Sequence, residues 1–322
     1  MHVLVTGAGG FVGTTLCESL VSHGARVRAG VHSLEPGCPR PSAPGLELVR
    51  FELAESHDAL ANCVAGVDAI VHLAAKVHSV GVQGTRGASY RDMNTTATES
   101  LARAAAASGA RRFVFLSSAK VFAEHSPGRP FTEEDAPRPG DPYAKSKWEA
   151  EQALQAIASE TGLEIVILRP PLVYGPRVKA NFVALMEAVA RGIPLPLASL
   201  HNRRSLLGVR NLVDAIETCL EHPHSAGETF VVADPVPIST TDLVREIAAA
   251  LHVRPRLFPC PVPILEAAGR VLGRSDAVER LVGDFELDAA KLERLLDWHA
   301  PVPRAVGLQE TAAWYLSLRT NR

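Results

Sequence analysis

The chain has 322 residues, with 33 Lys plus Arg set against 35 Asp plus Glu for a formal net charge of −2. Hydrophobic residues at 47% and charged residues at 21% exclude wholesale disorder, and the lack of a basic excess excludes nucleic acid as the principal partner. That length exceeds a minimal domain and suits one large α/β unit with a smaller lobe.

The first predicted element is a strand at Val3–Thr6; Met1–Gly7 has no basic region or cleavage site and reads as buried strand, not signal peptide. Thr6-Gly7-Ala8-Gly9-Gly10-Phe11-Val12-Gly13 follows it and opens a helix with Val12, Leu16 and Leu20 on one stripe. Gly7 permits the tight turn, Gly10 admits a pyrophosphate, and Gly13 lets helix and strand pack closely. The helix N-terminus, with Phe11 and Val12, offers N–H groups to phosphate. No Gly-Lys-Ser/Thr follows, so this is a dinucleotide turn and not a P-loop.

The second strand, Val27–Val31, leads into His32 and Ser33 without a carboxylate. An NAD site usually puts Asp or Glu there for the ribose hydroxyls. A 2′-phosphate therefore meets no repulsion, with Arg28, His32 and Ser33 as its candidate contacts, and the cofactor is read as NAD or NADP(H). Ser33–Gly45 is a Pro/Gly-rich loop. A third strand, Leu46–Phe51, brings Glu52 and Leu53 to the adenine. A fourth, Ala69–Leu73, brings Leu73, Ala74 and Ala75 beneath the nicotinamide ribose, where small residues allow close approach.

The alanine-rich helix Thr98–Ala107 precedes a fifth strand, Phe113–Ser117. Ser117 and Ser118 at its end place a hydroxyl over the carboxyl edge, beside the expected nicotinamide. The long loop Ala123–Pro142 then leads into a helix opening with Tyr143-Ala144-Lys145-Ser146-Lys147. Tyr143 and Lys147 share a helical face. A tyrosine near pKa 10 needs a drop of about three units to act as a base at neutral pH, and a cationic Lys147 beside a positive nicotinamide is the expected source. A sixth strand lies at Ile165–Leu168. Beyond Pro171 helices are predicted at Phe182–Ala190, Leu212–Glu221, Thr241–Leu251, Ile264–Leu272, Ala289–Leu296 and Leu308–Leu318, separated by prolines. The fold expected is a Rossmann-type doubly wound parallel sheet with a smaller C-terminal substrate-binding lobe. The dinucleotide domain takes residues 1–170 plus about 205–235, and the lobe about 171–204 and 236–322.

No apolar run approaches the roughly 18 residues of a membrane span, so no membrane partner is expected. Five scattered cysteines without a CxxC indicate neither disulfides nor a metal site and suit a reducing cytoplasm.

Together the glycine turn, Leu73-Ala74-Ala75, Asn94, Ser117-Ser118, the Tyr143/Lys147 pair, Arg169–Pro176, Asn202–Ser205, Asp288–Leu292 and Trp298 resemble the extended short-chain dehydrogenase/reductases. Within these the likeness is to the NAD-dependent epimerase/dehydratase family, in its UDP-glucose 4-epimerase-like branch. The resemblance implies Ser118, Tyr143 and Lys147 as catalytic residues and Asn94 as organiser of the helix behind a cofactor site. It implies a UDP-sugar substrate and a homodimer formed through Thr98–Ala107 and Tyr143–Ala158. The substrate diphosphate needs cations, with Arg204 the first candidate and Arg280 the second, and Asn181 and Phe182 near the nucleotide.

Departures from the pattern narrow the chemistry. Dehydratases carry Asp-Glu where this chain has Ala119-Lys120, leaving no acid/base pair to eliminate water. Leu172 stands where many epimerases have Asn. Two routes stay open: 4-epimerisation through a 4-keto sugar, or NADPH-dependent reduction of a UDP-4-keto-6-deoxy-hexosamine for surface polysaccharide. A reductase of a non-sugar carbonyl and a non-catalytic dinucleotide sensor are weaker alternatives, the sensor because such a protein is expected to lose the Tyr/Lys pair.

Overall fold

Val3, Leu4 and Val5 have no exposed surface, which requires a strand covered on both faces. The computed structural model describes residues 1–35, 37–53, 56–76 and 90–320, and position 36 of the Ser33–Gly45 loop lies outside the described residues. In chain order the elements are β1 (His2–Thr6), α1 (Phe11–Ser22), β2 (Arg26–Val31), β3 (Glu47–Arg50), α2 (His57–Val64), β4 (Ala69–His72), α3 (Ala97–Ala107), β5 (Arg112–Leu116), α4 (Pro142–Thr161) and β6 (Glu164–Arg169). The second half holds β7 (Leu172–Tyr174), α5 (Asn181–Ala190), β8 (Leu206–Gly208), α6 (Val209–Glu221), β9 (Thr229–Val231), α7 (Thr240–Ala250), α8 (Val262–Val271), α9 (Ser275–Val282), α10 (Ala290–Leu296) and α11 (Arg304–Thr320).

Among the described residues, seven strands form a parallel sheet in the order β3-β2-β1-β4-β5-β6-β9. Alternate side chains serve opposite cores, as the pleat demands. Val3, Val5, Val71 and Val114 meet α1 and α6 on one face. Leu4, Ile70, Phe113 and Phe115 meet α2, α3 and α4 on the other. Connection order reverses between β1 and β4, so a crevice opens at their carboxyl ends.

β7 and β8 pair apart from the main sheet, and a separate core gathers Tyr174, Phe182, Met186, Val244, Ile247 and Leu308. Two features differ from expectation. Thr229–Val231 joins the main sheet beside β6, a three-residue strand too short to show periodicity. Leu292, Leu296 and Trp298, expected in the lobe, pack instead into the core shared by β1, α1 and α6, where the Trp298 indole N–H donates to Asp214 at 2.7 Å.

One buried polar chain ties the glycine turn to α4. Thr98 Oγ1 donates to Asn94 O at 2.6 Å, so it accepts from His72 Nε2 at 2.9 Å. His72 Nδ1 then accepts from Thr6 Oγ1 at 2.7 Å, which fixes the neutral tautomer. Asn94 Nδ2 donates to Ser146 Oγ at 3.0 Å, and Ser146 Oγ to Tyr143 O at 2.8 Å. Burial, with Lys147 nearby, pushes the His72 ring down to about 3.

The unfolded ring titrates at an ordinary pKa near 6.5, so between there and about 3 the unfolded chain binds the extra proton. His72 therefore withdraws stability as pH falls through that window, by up to ~1.4 kcal/mol per pH unit. His72→Gln is expected to flatten the acid limb of stability by about one proton. Urea unfolding at a series of pH values measures this, and an unchanged slope contradicts it.

Candidate active site

A cavity of about 1380 Å³ runs along the carboxyl ends of the central strands. Gly7, Gly10, Phe11, Val12 and Gly13 line its floor. Gly7 adopts φ +70°, and a Cβ there would lie 2.9 Å from Ala74 N. A Cβ at Gly13 would lie 2.2 Å from Gly7 O, so only glycine lets α1 approach the turn. Helix α1 starts on Gly10 with no side-chain cap and no acidic residue in its first turn. Its first N–H groups thus face the cavity as an anion cradle, and these residues fit a dinucleotide pyrophosphate.

At the adenosine end the lining includes His32, Ser33, Phe51, Glu52 and Leu53. Arg28 is not there, contrary to expectation. It lies back along β2, where Nε donates to Glu47 Oε1 at 2.9 Å and Nη1 to the carbonyls of Cys63 and Ala65. A guanidinium reaches laterally to the neighbouring strand as readily as to the strand end. Glu52, paired with Arg50, is the charged side chain lining this end among the described residues.

Leu73, Ala74, Ala75, Ser117, Tyr143 and Lys147 line the middle of the cavity. Asp141 caps α4 by accepting from Ala144 N at 2.7 Å, with Pro142 at the first helical position. That start presents Tyr143 and, one turn on, Lys147. Lys147 is 2% exposed, donates from Nζ to Leu116 O at 2.8 Å, and lies 4.4 Å from the centre of the Phe115 ring. Burial pushes its ammonium down to about 7, against the pull of Glu151. Burial, with Asp141 and Tyr90 nearby, pushes the Tyr143 phenol up to about 12. At Tyr143 burial thus outweighs any lowering by Lys147, contrary to the expected net drop.

Three further residues sit differently from expectation. Ser117 lines the cavity, but its hydroxyl donates to Glu151 behind the wall. Ser118 is half-buried and outside the lining; its Oγ accepts from Lys120 N at 3.2 Å, starting a short 3₁₀ turn. Asn94, also expected as a cofactor contact, is buried outside the lining; it bonds Lys76 N at 2.7 Å and Ser146 Oγ at 3.0 Å, which suits its other expected part as organiser of α4.

From the lobe, Asn181 and Arg280 reach the cavity, and Arg280 Nε is buried without a hydrogen-bond partner. Phe182 and Arg204 do not reach it. Phe182 stacks on Tyr174 with ring centres 5.9 Å apart, because an apolar ring at the start of α5 is drawn into the lobe core. Arg204 donates to Gly283 O at 2.9 Å, and burial lowers its pKa. The order expected for the two arginines is reversed. Sequence reasoning also missed Lys120, Glu124 and Asp141, which line the cavity as one cluster; Lys120 bonds Asp141 and lies 3.2 Å from Glu124. The signal available was the Asp141-Pro142 helix start, which marks Asp141 as a cap.

Comparison with known proteins follows the same lines. The sequence model of the NAD dependent epimerase/dehydratase family matches residues 3–233. The UDP-glucose 4-epimerase of Vibrio cholerae is 38% identical over 327 residues, covering 98% of this chain and 95% of that protein. Two solved structures share the fold. The UDP-glucuronic acid 4-epimerase of Bacillus cereus with NAD has a TM-score of 0.79 at 20% identity, covering 100% of this chain and 99% of that one. The UDP-glucose 4-epimerase of Thermotoga maritima with UDP-glucose has a TM-score of 0.78 at 21% identity, covering 99% and 100%. With that match and an identity spread along nearly its whole length, the chain belongs to the NAD-dependent epimerase/dehydratase family and is an NAD-dependent enzyme.

Proposed function

We propose that the chain is a UDP-sugar 4-epimerase of the UDP-glucose type. The observation that carries this reading is that Tyr143 and Lys147 share one wall of a cavity running from the glycine turn to Asn181 and Arg280. Its volume of about 1380 Å³ exceeds the roughly 300–1,000 Å³ of a site for one drug-sized ligand, as a dinucleotide and a nucleotide sugar together require. The Vibrio relative's activity supports the choice of a UDP-hexose.

Bound NAD supplies a hydride acceptor that gives the hydride back. Tyr143 takes the proton from the sugar O4 as hydride leaves C4. It returns the proton to that oxygen once the planar 4-keto sugar has turned its other face. Lys147 supplies positive charge near the phenolate, which the low-polarity wall makes effective. Arg280, with its unpartnered Nε, is assigned to the sugar-nucleotide diphosphate. Ser118, outside the lining with its Oγ on Lys120 N, is assigned no contact with the sugar.

Glu52 at the adenosine end favours ribose hydroxyls over a 2′-phosphate, which inverts the balance read from β2 alone. NAD⁺ is expected to bind about tenfold or more tighter than NADP⁺, and Glu52→Gln to narrow the gap. Titration of protein fluorescence with each dinucleotide measures this; equal affinities reject the reading.

Tyr143→Phe is expected to lower interconversion of UDP-glucose and UDP-galactose by roughly 10²–10⁴-fold while leaving NAD⁺ affinity nearly unchanged. Wild-type turnover in that variant removes Tyr143 from the chemistry. Purified enzyme is expected to run the interconversion with NAD⁺ and no NADPH. Turnover only of a 4-keto sugar with added NADPH assigns the ketoreductase route instead.

A further inference from the structure

Glu151 is the third member of a stripe on α4 that begins with Tyr143 and Lys147, at i, i+4 and i+8. It has no exposed surface. Its carboxylate accepts from Ser117 Oγ, from Arg169 Nε at 3.2 Å to each oxygen, and from Arg169 Nη2 at 2.6 Å. Arg169 is 4% exposed and packs over the rings of Phe122 and Trp148, 4.9 and 5.8 Å from their centres. Its Nη1 has no hydrogen-bond partner. A buried ion pair with an unsatisfied nitrogen stabilises a fold less well than apolar side chains of similar volume. Stability alone therefore does not account for these charges behind the cavity wall.

The surroundings of Lys147 show what the pair does. From β4 comes His72, held neutral between Thr6 and Thr98. From β5 come the Phe115 ring and the Leu116 carbonyl. The Arg91–Thr96 segment packs on α4 through the neutral Asn94 and Thr95, while Arg91 lies 3.5 Å from Glu149 on the outer face. Arg103 of α3 likewise pairs outside, with Glu99 and Glu160. Arg169 of β6 stands across Glu151. Along α4 itself are Tyr143 and Glu151, so among the described residues Glu151 is the buried anion on the Lys147 side.

We propose that Glu151 is a positioning residue of the Tyr143–Lys147 pair: its carboxylate, fixed by Arg169 and Ser117, keeps Lys147 charged and seated on the Leu116 carbonyl. The proposal rests on the reading of Tyr143 and Lys147 as the catalytic pair. Burial opposes the charge on Lys147 and Glu151 opposes burial, leaving the ammonium near 7. Without the carboxylate, Lys147 keeps the desolvation and loses its counter-charge. With Arg169 left in place, it also faces an uncompensated cation.

The test reads Lys147 directly. Titration of the lysine ε-carbon resonances by NMR, with Lys147 assigned by its disappearance in Lys147→Met, is expected to give a wild-type midpoint at about 7. Glu151→Gln is expected to lower that midpoint by about one unit or more. Glu151→Leu with Arg169→Met removes both buried charges for apolar volume, so it keeps the fold where the single variant loses it, and is also expected to lower the midpoint. A folded variant with the wild-type midpoint overturns the proposal. Turnover of UDP-glucose serves as the second reading. The alkaline limb of its pH profile moves to lower pH in either variant, a change that a merely structural role would not produce. If Tyr143→Phe turns over like wild type, the catalytic reading fails by itself. If that variant is inactive and the Lys147 midpoint does not move, only the role of Glu151 fails.

Discussion

A lysine ammonium held out of water against a backbone carbonyl is the constraint around which this site is arranged. Moving Lys147 from its ordinary pKa to about 7 corresponds to about 5 kcal/mol, the net of lost hydration after Glu151 has offset part of it. Such a group persists only where several elements hold it. β5 supplies the carbonyl, α4 the side chain, and β6 the arginine that anchors the facing carboxylate. The neutrality of His72 belongs to the same arrangement, since a second cation beside Lys147 would repel it.

Local spacing explains why so much of this was legible in the sequence. The glycine turn, the strand-end residues Leu73 to Ala75 and the Tyr143/Lys147 stripe are each defined within a few residues, and the sheet then carries them to one edge. The lining by Gly7, Gly10 and Gly13 follows from sterics that act across a single turn. Arg28, Phe182 and Arg204 were legible only as residue types. Whether a guanidinium faces a ligand or a neighbouring carbonyl depends on what the next strand or loop presents. Here Glu47 presents a carboxylate to Arg28, and Gly283 a carbonyl to Arg204. Glu151 escaped because its partners, Ser117 and Arg169, come from two other elements.

Polar groups, more than apolar contacts, register the two halves of the molecule. Tyr174 Oη donates to Asp234 at 3.0 Å and Asn211 Nδ2 to the same carboxylate at 2.8 Å, joining β7, α6 and the segment after β9. Asn202 bonds Thr240 and the carbonyls of Leu281 and Gly283, fixing the end of α9 that carries Arg280 to the cavity. A one-residue slip in an apolar packing is tolerated by repacking; in these networks it would strand buried donors and acceptors. The end of α9, from which Arg280 reaches the cavity, is thus held by directional bonds.

Under the proposed epimerase reading, the electrostatics also bear on how one tyrosine would serve both directions of a reversible oxidation. The protein's own groups leave Tyr143 protonated, with its phenol near 12. A phenolate here carries the desolvation cost that holds the phenol up. A positively charged ring bound beside Tyr143 would add to the charge of Lys147 in favouring the base form. In the proposed cycle Tyr143, once it holds the proton, would serve as an acid in surroundings that favour the phenol. Each half of the cycle thus prepares the protonation state that the other needs. On the proposed reading such a pocket would need no separate acid and base.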